Sequence, residues 1–352
     1  MNAKKFYCIG VMSGTSLDGV DLCYVKFDVT TRYNFEILKA ATFSYSEAWL
    51  NKLKQAFTSD NEALELLSVE YGNYLGSLIN NFIEQNAIDE IDFVASHGHT
   101  IFHKPDEGIT LQIGDGQTIA TITKQKVICD FRTQDVKLGG QGAPLVPIGD
   151  ELLFGNYEYC LNLGGFVNVS FKEGDKRIAY DICPINIVLN HYIQKLGFDY
   201  DDKGQLAATG KIHQPLFDQL NDLEYYHQSH PKSLGYEWVV DVIIPLIDNY
   251  NLEIKDILRT FIEHVAFQVS KAVHVKARML VTGGGAFNEF LMQRIEFYID
   301  EEIELQSSKI IDFKEALIFA LLGLLRLENK INILKSVTGA SKNHSSGVIF
   351  NP

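Results

Sequence analysis

The sequence is poor in cysteine and in positive charge, and it lacks a long apolar run. Its five cysteines, at positions 8, 23, 129, 160 and 183, are odd in number and nowhere show the C-x-x-C spacing of redox and zinc motifs. Most of them lie within apolar, strand-like runs. We therefore expect reduced thiols in the core of a cytoplasmic protein, because stable disulfides belong to oxidising compartments.

Charge and hydropathy narrow the class of partner. The 352 residues carry 31 Lys and Arg against 45 Asp and Glu, a formal net charge of −14, which disfavours a nucleic-acid partner. The longest apolar run, ALIFALLGLL at 316–325, is well short of the roughly 20 residues that a membrane span needs. The first residues lack the cleavage site of a signal peptide. These absences favour a small-molecule partner and no membrane contact.

One α/β pattern occurs twice in the chain. FYCIGVM and LCYVKFDV predict two strands around a Gly-rich turn, FEILKAATFSY predicts a third strand, and an apolar stripe over 61–85 predicts a helix capped by Asp60. EYCLNLGGFVNVSF and IAYDI repeat the strands, and a helix from about Asn186 to Leu196 follows. The repetition predicts two similar α/β domains.

The remaining segments are predicted from composition and periodicity. The Gly- and Pro-rich segment 131–150 predicts a crossover loop or hinge, and the strand IDFVASHG is expected to end in a polar loop. Helices are expected at 254–275, from Asn288, and from about Asp312 to Leu327.

Three glycine turns predict phosphate contacts, because backbone N–H groups in such turns form a concave anion site. The turn in GVMSGTSLDGVD carries more hydroxyls and carboxylates than a simple hairpin turn needs, although a hairpin turn is the alternative. No Lys follows its glycines, which excludes a Walker P-loop, and no turn has the G-x-G-x-x-G fingerprint. The predicted nucleotide contacts are Ser13, Gly14, Thr15, Ser16, Leu17, Asp18, Gly19, Val20 and Asp21, then Asn162, Gly164 and Gly165, then Gly283, Gly284, Gly285 and Asn288.

These turns, together with SHG-TI-H-P, LQIGD, DFR-QDV--GGQGAPLVP, EALIFA and TGAS, resemble the anhydro-N-acetylmuramic acid kinases in the same order over nearly the whole chain. The resemblance implies an α/β fold with two RNase-H-like domains of the actin/hexokinase type flanking a nucleotide and substrate cleft. Residues 1–130 with 332–352 would form one domain and 131–331 the other. It implies a kinase that uses ATP and Mg²⁺ to open 1,6-anhydro-N-acetylmuramic acid with water and phosphorylate its 6-hydroxyl in cell-wall recycling. It also implies a homodimer.

Two acidic residues match functional positions of that family. Asp181, at the end of IAYD, matches the catalytic aspartate, which takes a proton from the attacking water. The alternative is that Asp181 caps the helix from Asn186. Glu315 matches an acidic substrate contact, but the spacing from Asp312 to Glu315 is also that of a capping box.

Three further residues match the family's sugar-binding positions. The guanidinium of Arg132 suits the carboxylate of the lactyl group, and the alternative is an ion pair with Asp130 or Asp135. His97 and Thr100 match a substrate loop.

A metal site is harder to predict from the sequence. His97, His99 and His103 lack the Cys or carboxylate that would complete a tetrahedral zinc site. Mg²⁺ is expected to accompany ATP, and Asp18 and Asp21 are its candidate ligands, through water.

The sequence departs from the family pattern at several positions. Ile182-Cys183-Pro184-Ile185-Asn186 stands where the family usually has Thr-Gly-Pro-Gly-Asn, His99 replaces a glutamine, and Leu234 and Tyr236 replace a threonine and a basic residue. These departures keep two alternatives open: a kinase of another sugar or anhydrosugar, and a nucleotide-binding regulatory protein whose catalysis has decayed.

Overall fold

The computed structural model describes residues 4–352 except Thr15, Ser16, Asp18 and Val275. The chain divides into two compact units, Met1–Leu153 with Phe313–Pro352, and Phe154–Asp312. The domain bounds expected from the sequence, at 130/131 and 331/332, differ from this division, because residues 131–153 and 313–331 group with the first unit. The expected bounds lay in loop-like segments of the sequence, whereas the observed bounds follow from which residues pack together.

The strands are named in chain order. They are β1 Lys4–Ser13, β2 Val20–Val29, β3 Tyr33–Phe43, β4 Phe93–Lys104, β5 Ile109–Ile113, β6 Val127–Cys129, β7 Tyr159–Leu163, β8 Phe166–Glu173, β9 Lys176–Pro184, β10 Met279–Thr282 and β11 Val348–Phe350.

The helices are named in the same way. They are α1 Glu47–Ala56, α2 Asn61–Gln85, α3 Gly116–Thr123, α4 Thr133–Lys137, α5 Pro147–Leu153, α6 Asn186–Ile193, α7 Gln205–Thr209, α8 Gln214–Asn221, α9 Glu224–His227, α10 Tyr236–Trp238, α11 Ile244–Asp248, α12 Ile254–Ala272, α13 Glu289–Ile299, α14 Ser308–Leu327 and α15 Lys335–Thr338. Short 3₁₀ turns lie at Pro105–Glu107, Gln194–Leu196, Asp202–Gly204 and Gly284–Phe287, and a π-helical turn lies at Val239–Ile243.

The sheet of the first unit has the order β11-β6-β4-β1-β2-β3, and β5 pairs with β4. The first three strands form an antiparallel meander, and β4 then pairs parallel to β1. A parallel pair needs a crossover connection, which α1 and α2 supply. Helix α2 has the predicted bounds and cap, with Asp60 accepting from the N–H of Ala63 over 2.9 Å, and it buries Tyr71 and Leu75 against the sheet.

The sheet of the second unit has the order β10-β7-β8-β9. It again consists of an antiparallel meander whose first strand, β7, pairs parallel to a later strand, β10. Helices α6 and α12 bury Val188, Phe261 and Val265 in the core of this unit. The predicted α/β class, with one pattern built twice, is confirmed.

Three local predictions were wrong. Helix α14 begins at Ser308 instead of Asp312, strand β4 continues through the segment expected as a polar loop, and residues 131–150 contain helix α4 and the start of α5. The helical hydrogen bonds of α14, from each N–H to the carbonyl four residues earlier, begin at Ser307. Its carbonyl accepts from the N–H of Ile311 over 3.1 Å.

Helix α14 also lies close against the first sheet. A Cβ on Gly10 of β1 would lie 1.9 Å from the carbonyl oxygen of Ala316, so only glycine allows this approach. The contact fixes the part of the helix that carries Glu315.

The five cysteines are buried and form no disulfide with one another, as expected. No helix in the described ranges is both long enough and apolar enough to cross a membrane.

Candidate functional site

Arg132, which precedes α4 in the first unit, contacts two uncharged groups. Its Nε and Nη2 donate to Nε2 of His97 over 3.1 and 2.9 Å, and its Nη1 donates to the carbonyl of Gly142 over 2.6 Å. Among the described residues these contacts use three of the five N–H donors of a guanidinium. One N–H therefore stays available on each terminal nitrogen, which is the arrangement that binds a carboxylate through paired hydrogen bonds.

The aspartates weighed as ion-pair partners of Arg132 are bonded elsewhere. Asp130 accepts from the N–H of Thr133 over 3.2 Å. Asp135 accepts from the N–H of Gly142 and from the hydroxyl of Thr338. The ion pair that was the alternative to a sugar contact is therefore not what holds Arg132.

His97 is a neutral acceptor for Arg132. The side chain is 6% exposed, and Nδ1 lies 2.9 Å from the carbonyl of Gly98, which places the ring proton on Nδ1 and leaves Nε2 to accept. Burial, together with the charge of Arg132, holds the pKa of His97 well below its usual value. Burial also lowers the pKa of Arg132, to about 10, while Glu315 and Asp135 oppose that shift. Arg132 is therefore a cation at neutral pH.

Glu315 lies inside α14, so the capping-box alternative is wrong: Asp312 is already in the second turn of the helix. Burial raises the pKa of Glu315, the charges of Lys314 and Arg132 oppose the rise, and Asp21 and Asp150 add to it. Lys314 is 3% exposed and its Nζ lies 3.0 Å from Oδ1 of Asp150. The first unit thus contains Arg132, His97 and Glu315: His97 bonds to the Arg132 guanidinium, and Glu315 is near enough to act on the pKa of Arg132.

Asp181 lies on β9 opposite Asn168, where the pairing register shifts by a bulge. Bulges re-aim side chains and are frequent beside active sites. Oδ2 of Asp181 accepts from the N–H of Leu234 over 2.9 Å, and the N–H of Asp181 donates to the carbonyl of Lys232 over 3.3 Å. The hydroxyl of Tyr225 donates to the carbonyl of Asp181 over 2.5 Å.

Two opposing effects act on the pKa of Asp181: burial raises it, and the N–H of Leu234 lowers it. A partly buried carboxylate with a raised pKa is suited to accept a proton near neutral pH. The alternative that Asp181 caps α6 is wrong, because the residue at that cap is Ile185, with no side-chain cap bond.

The second and third glycine turns meet in the second unit, because β7 and β10 pair in parallel up to Asn162. A Cβ on Gly283, where φ is +84°, would lie 2.3 Å from Oδ1 of Asn162. A Cβ on Gly285 would lie 2.7 Å from Cβ of Leu163, and one on Gly165 would lie 2.9 Å from a side chain of α6. The close packing of the two turns requires these glycines.

Gly164 and Gly284 are different, because the packing of the chain does not require them. A Cβ on Gly284 would meet no described atom within 4 Å, and one on Gly164 would meet its nearest neighbour at 3.7 Å. Asn186 closes the turn at Gly164 by donating to two of its carbonyls over 3.1 and 2.7 Å. Asn288 caps α13. The open sides of Gly164 and Gly284 leave backbone accessible to a ligand.

The first glycine turn is described in part: Thr15, Ser16 and Asp18 lie outside the described residues, whereas Ser13, Gly14, Leu17, Gly19, Val20 and Asp21 are described. Oγ of Ser13 lies 2.6 Å from the hydroxyl of Tyr45, 2.8 Å from that of Tyr71 and 3.0 Å from Nδ1 of His99. Ser13 is 1% exposed. Its hydroxyl is thus engaged inside the unit, and its contact with phosphate stays a prediction.

Asp21 and Thr100 also lie in the first unit. Oδ1 of Asp21 accepts from the hydroxyl of Thr42 over 2.6 Å, and the hydroxyl of Thr100 accepts from Nε2 of Gln112 over 3.4 Å. Within the described part of the chain no three His, Cys, Asp or Glu residues gather as metal ligands. A carboxylate such as Asp21 still suits Mg²⁺, which keeps several waters and needs few protein ligands.

The sequence profile of a known family covers almost the whole chain. The model of the family "Anhydro-N-acetylmuramic acid kinase" matches residues 6–352. The anhydro-N-acetylmuramic acid kinase of Saccharophagus degradans is 34% identical over 377 residues, covering 99% of this chain and 100% of that protein. That of Vibrio vulnificus strain CMCP6 is 32% identical over 371 residues, covering 99% of each.

The chain belongs to the anhydro-N-acetylmuramic acid kinase family. It is accordingly a kinase, a phosphotransferase with an alcohol group as acceptor. Among solved structures, component A of the (R)-2-hydroxyglutaryl-CoA dehydratase of Acidaminococcus fermentans is similar with a TM-score of 0.46 and 14% identity, covering 90% of this chain and 96% of that one.

Sequence reasoning missed the residues that hold the candidate functional groups in place. Tyr225 and the segment 232–234 fix Asp181, and Asn186 closes a glycine turn. The signal was present only for Leu234, which stood out as a departure from the family pattern. Because its backbone N–H makes the contact with Asp181, the identity of its side chain does not decide that contact.

Proposed function

We propose that this kinase uses ATP to open 1,6-anhydro-N-acetylmuramic acid with water and to phosphorylate its 6-hydroxyl, giving N-acetylmuramic acid 6-phosphate and ADP in cell-wall sugar recycling. The observation that carries the proposal is the setting of Arg132, a cation whose described contacts are uncharged and leave one N–H on each terminal nitrogen. Such a group favours a substrate with a carboxylate. The lactyl group of this sugar supplies one, whereas a neutral anhydrohexose does not.

Asp181 acts as the general base in this proposal. It takes a proton from water as the water oxygen attacks the anomeric carbon, and the bond between that carbon and the 6-oxygen breaks. The released 6-oxygen then attacks the γ-phosphoryl group, and ADP leaves. The two steps are coupled because the anhydro sugar has no free 6-hydroxyl before the ring opens.

The other predicted residues bind and orient the substrates. Glu315 and Thr100 contact the sugar, and His97 fixes the plane of the Arg132 guanidinium. A homodimer and a cytoplasmic location stay predictions.

The glycine turns bind the phosphates of ATP through backbone N–H groups. Gly164 and Gly284, whose Cβ positions are open, support this role. Mg²⁺, when bound, would neutralise phosphate charge, with Asp21 as the described candidate ligand and Asp18 as the second candidate.

The decisive experiment measures ADP release by the purified protein in four reactions: without sugar, with 1,6-anhydro-N-acetylmuramic acid, with 1,6-anhydro-N-acetylglucosamine and with a neutral anhydrohexose. We expect release to depend on the first sugar. A preference for a neutral sugar would instead indicate a different sugar kinase. ATP binding without turnover on any sugar would indicate a regulatory protein.

Labelled water tests the coupled mechanism. In H₂¹⁸O the product should gain one ¹⁸O, on the anomeric carbon, and none in its phosphoryl group. Label in the phosphoryl group would contradict transfer from ATP to the 6-oxygen of the sugar.

A further inference from the structure

A buried carboxylate, that of Asp135, is linked to the guanidinium of Arg132 through one residue, Gly142. Asp135 is 0% exposed, and its Oδ2 accepts from the N–H of Gly142 over 2.7 Å. The carbonyl of the same glycine accepts from Nη1 of Arg132 over 2.6 Å. The backbone of Gly142 therefore links the two charged side chains, which form no direct bond in the described structure.

The other oxygen of Asp135 is fixed by the last part of the chain. Oδ1 accepts from the hydroxyl of Thr338 over 2.8 Å, and Nε2 of His344 lies 3.5 Å from it. The carbonyl of Thr338 in turn accepts from the N–H of Gln141 over 2.7 Å. The turn that carries Gly142 is thus bonded at two neighbouring residues, Gln141 to the carbonyl of Thr338 and Gly142 to the carboxylate of Asp135.

The turn also leaves room for the carboxylate of Asp135, because Gly140 has no side chain. A Cβ on Gly140 would lie 2.2 Å from Oδ2 of Asp135, so only glycine allows the carboxylate to reach Gly142. Gly142 has φ of +67°, a conformation that other residues adopt at a cost. Without Asp135 the N–H of Gly142 would lose its described acceptor, and the bond from Arg132 to its carbonyl would be the described bond left on this residue.

We propose that Asp135 is a positioning residue for substrate binding: through the backbone of Gly142 it fixes the carbonyl that orients the Arg132 guanidinium toward the substrate carboxylate. The proposal rests on the proposed function, since it assumes that Arg132 binds the lactyl group. His97 holds one edge of the guanidinium and Gly142 holds Nη1, so two acceptors are needed to define its plane. Asp135 does not touch the substrate.

The test compares Asp135→Asn and Asp135→Ala with a matched control, Asp130→Asn. The control removes a nearby carboxylate charge but keeps the oxygen that accepts from Thr133. We expect Asp135→Ala to raise KM for 1,6-anhydro-N-acetylmuramic acid by about tenfold, the loss typical of one hydrogen bond in a positioned network. In the same variant kcat and the Kd of ATP should change by less than about twofold. The control Asp130→Asn should leave the KM of the sugar, kcat and the Kd of ATP unchanged. Asp135→Asn should raise KM by a smaller factor.

A double-mutant cycle separates positioning from a general loss of structure. In an Arg132→Ala background, Asp135→Asn should have no further effect on the KM of the sugar, because the group that it orients is gone. Equal losses in both backgrounds, or parallel losses in sugar KM and ATP Kd, would overturn the proposal.

Thr338→Val provides a milder variant if Asp135→Ala does not fold. It removes one donor to Asp135 and keeps the shape of the side chain, so we expect a rise in sugar KM of about two- to threefold with unchanged ATP Kd. No change in sugar KM in either Asp135→Asn or Thr338→Val would count against the proposal. An unchanged sugar KM refutes only the role of Asp135 when two controls hold: the wild type shows sugar-dependent ADP release, and Arg132→Lys loses it. If the wild type shows no such release, the proposed function fails first.

Discussion

Arg132 and Asp181 are both partly buried charged groups, but the chain holds them in different ways. Arg132 depends on the side chain of His97 and on a carbonyl that is itself held by the side chain of Asp135. Asp181 depends chiefly on backbone, the N–H of Leu234 and the carbonyl of Lys232.

The difference predicts which substitutions each site tolerates. A backbone donor survives almost any exchange of the side chain that it belongs to, whereas a side-chain acceptor is lost with its residue. The departure at Leu234 falls on the backbone-held site, where the N–H that bonds to Asp181 does not depend on the side chain. Substitutions of the side chains that hold Arg132 should reduce sugar binding more than substitution of Leu234 does.

The largest expected effect is that of Asp181→Asn. Asparagine keeps an oxygen for the N–H of Leu234 but cannot take a proton at neutral pH, so sugar-dependent ADP release should fall about 10²- to 10⁴-fold. The Kd of ATP, measured by calorimetry, should stay near that of the wild type. A variant with full turnover would remove Asp181 from the mechanism.

The second effect is that of Arg132→Lys. A lysine cannot offer paired N–H groups or reach both His97 and Gly142, so we expect a loss of about 2 kcal/mol in sugar binding, roughly 30-fold in KM. Lys137→Arg, the reverse exchange at an exposed position of α4, is the control and should leave the kinetics unchanged. An Arg132→Lys enzyme with wild-type KM would show that Arg132 does not bind the carboxylate.

The third prediction concerns the pH profile of Leu234 variants. Leu234→Pro removes the N–H that lowers the pKa of Asp181. With that donor gone the ionised carboxylate is less favoured, so its pKa rises and the acid limb of kcat/KM moves to higher pH. Leu234→Thr keeps the N–H and should leave the limb in place. A shift in the threonine variant would show that the side chain matters, and the contrast between the two sites would fail.

The smallest effect is that of Tyr225→Phe. The exchange removes the hydroxyl that donates to the carbonyl of Asp181 and keeps the ring against Trp238. Because this bond reaches the backbone and not the carboxylate, kcat should fall only about two- to threefold with KM unchanged. A loss approaching that of Asp181→Asn would place Tyr225 itself among the groups that touch the substrate.

Much of the fold was visible in the sequence because local interactions specify it. The cap of α2 at Asp60 and the cap of α13 at Asn288 follow from side chains that bond to N–H groups three residues later. The wrong predictions arose where one short sequence pattern is compatible with two local structures. The spacing from Asp312 to Glu315 fits a capping box, yet the helix starts earlier because the carbonyl of Ser307 already accepts from Ile310 and Ile311.

The candidate site divides in the same way. The glycine turns were predicted from the residues themselves, whereas the family resemblance pointed to Arg132, His97, Asp181 and Glu315. Neither could give Tyr225, Asn186 or the role of Asp135. Those residues act through bonds to partners far along the chain.

The sequence by itself determined the family, the α/β pattern built twice and the glycine turns, because each depends on residue type and short spacing. Only the tertiary structure decided what Asp135 does. An ion pair of Arg132 with Asp130 or Asp135 was the alternative that the sequence left open, but the folded chain bonds Asp135 to Thr338, 203 positions away, and to the N–H of Gly142. Which acceptor meets which donor across such distances depends on the path of the backbone, and that path is a property of the whole packed unit.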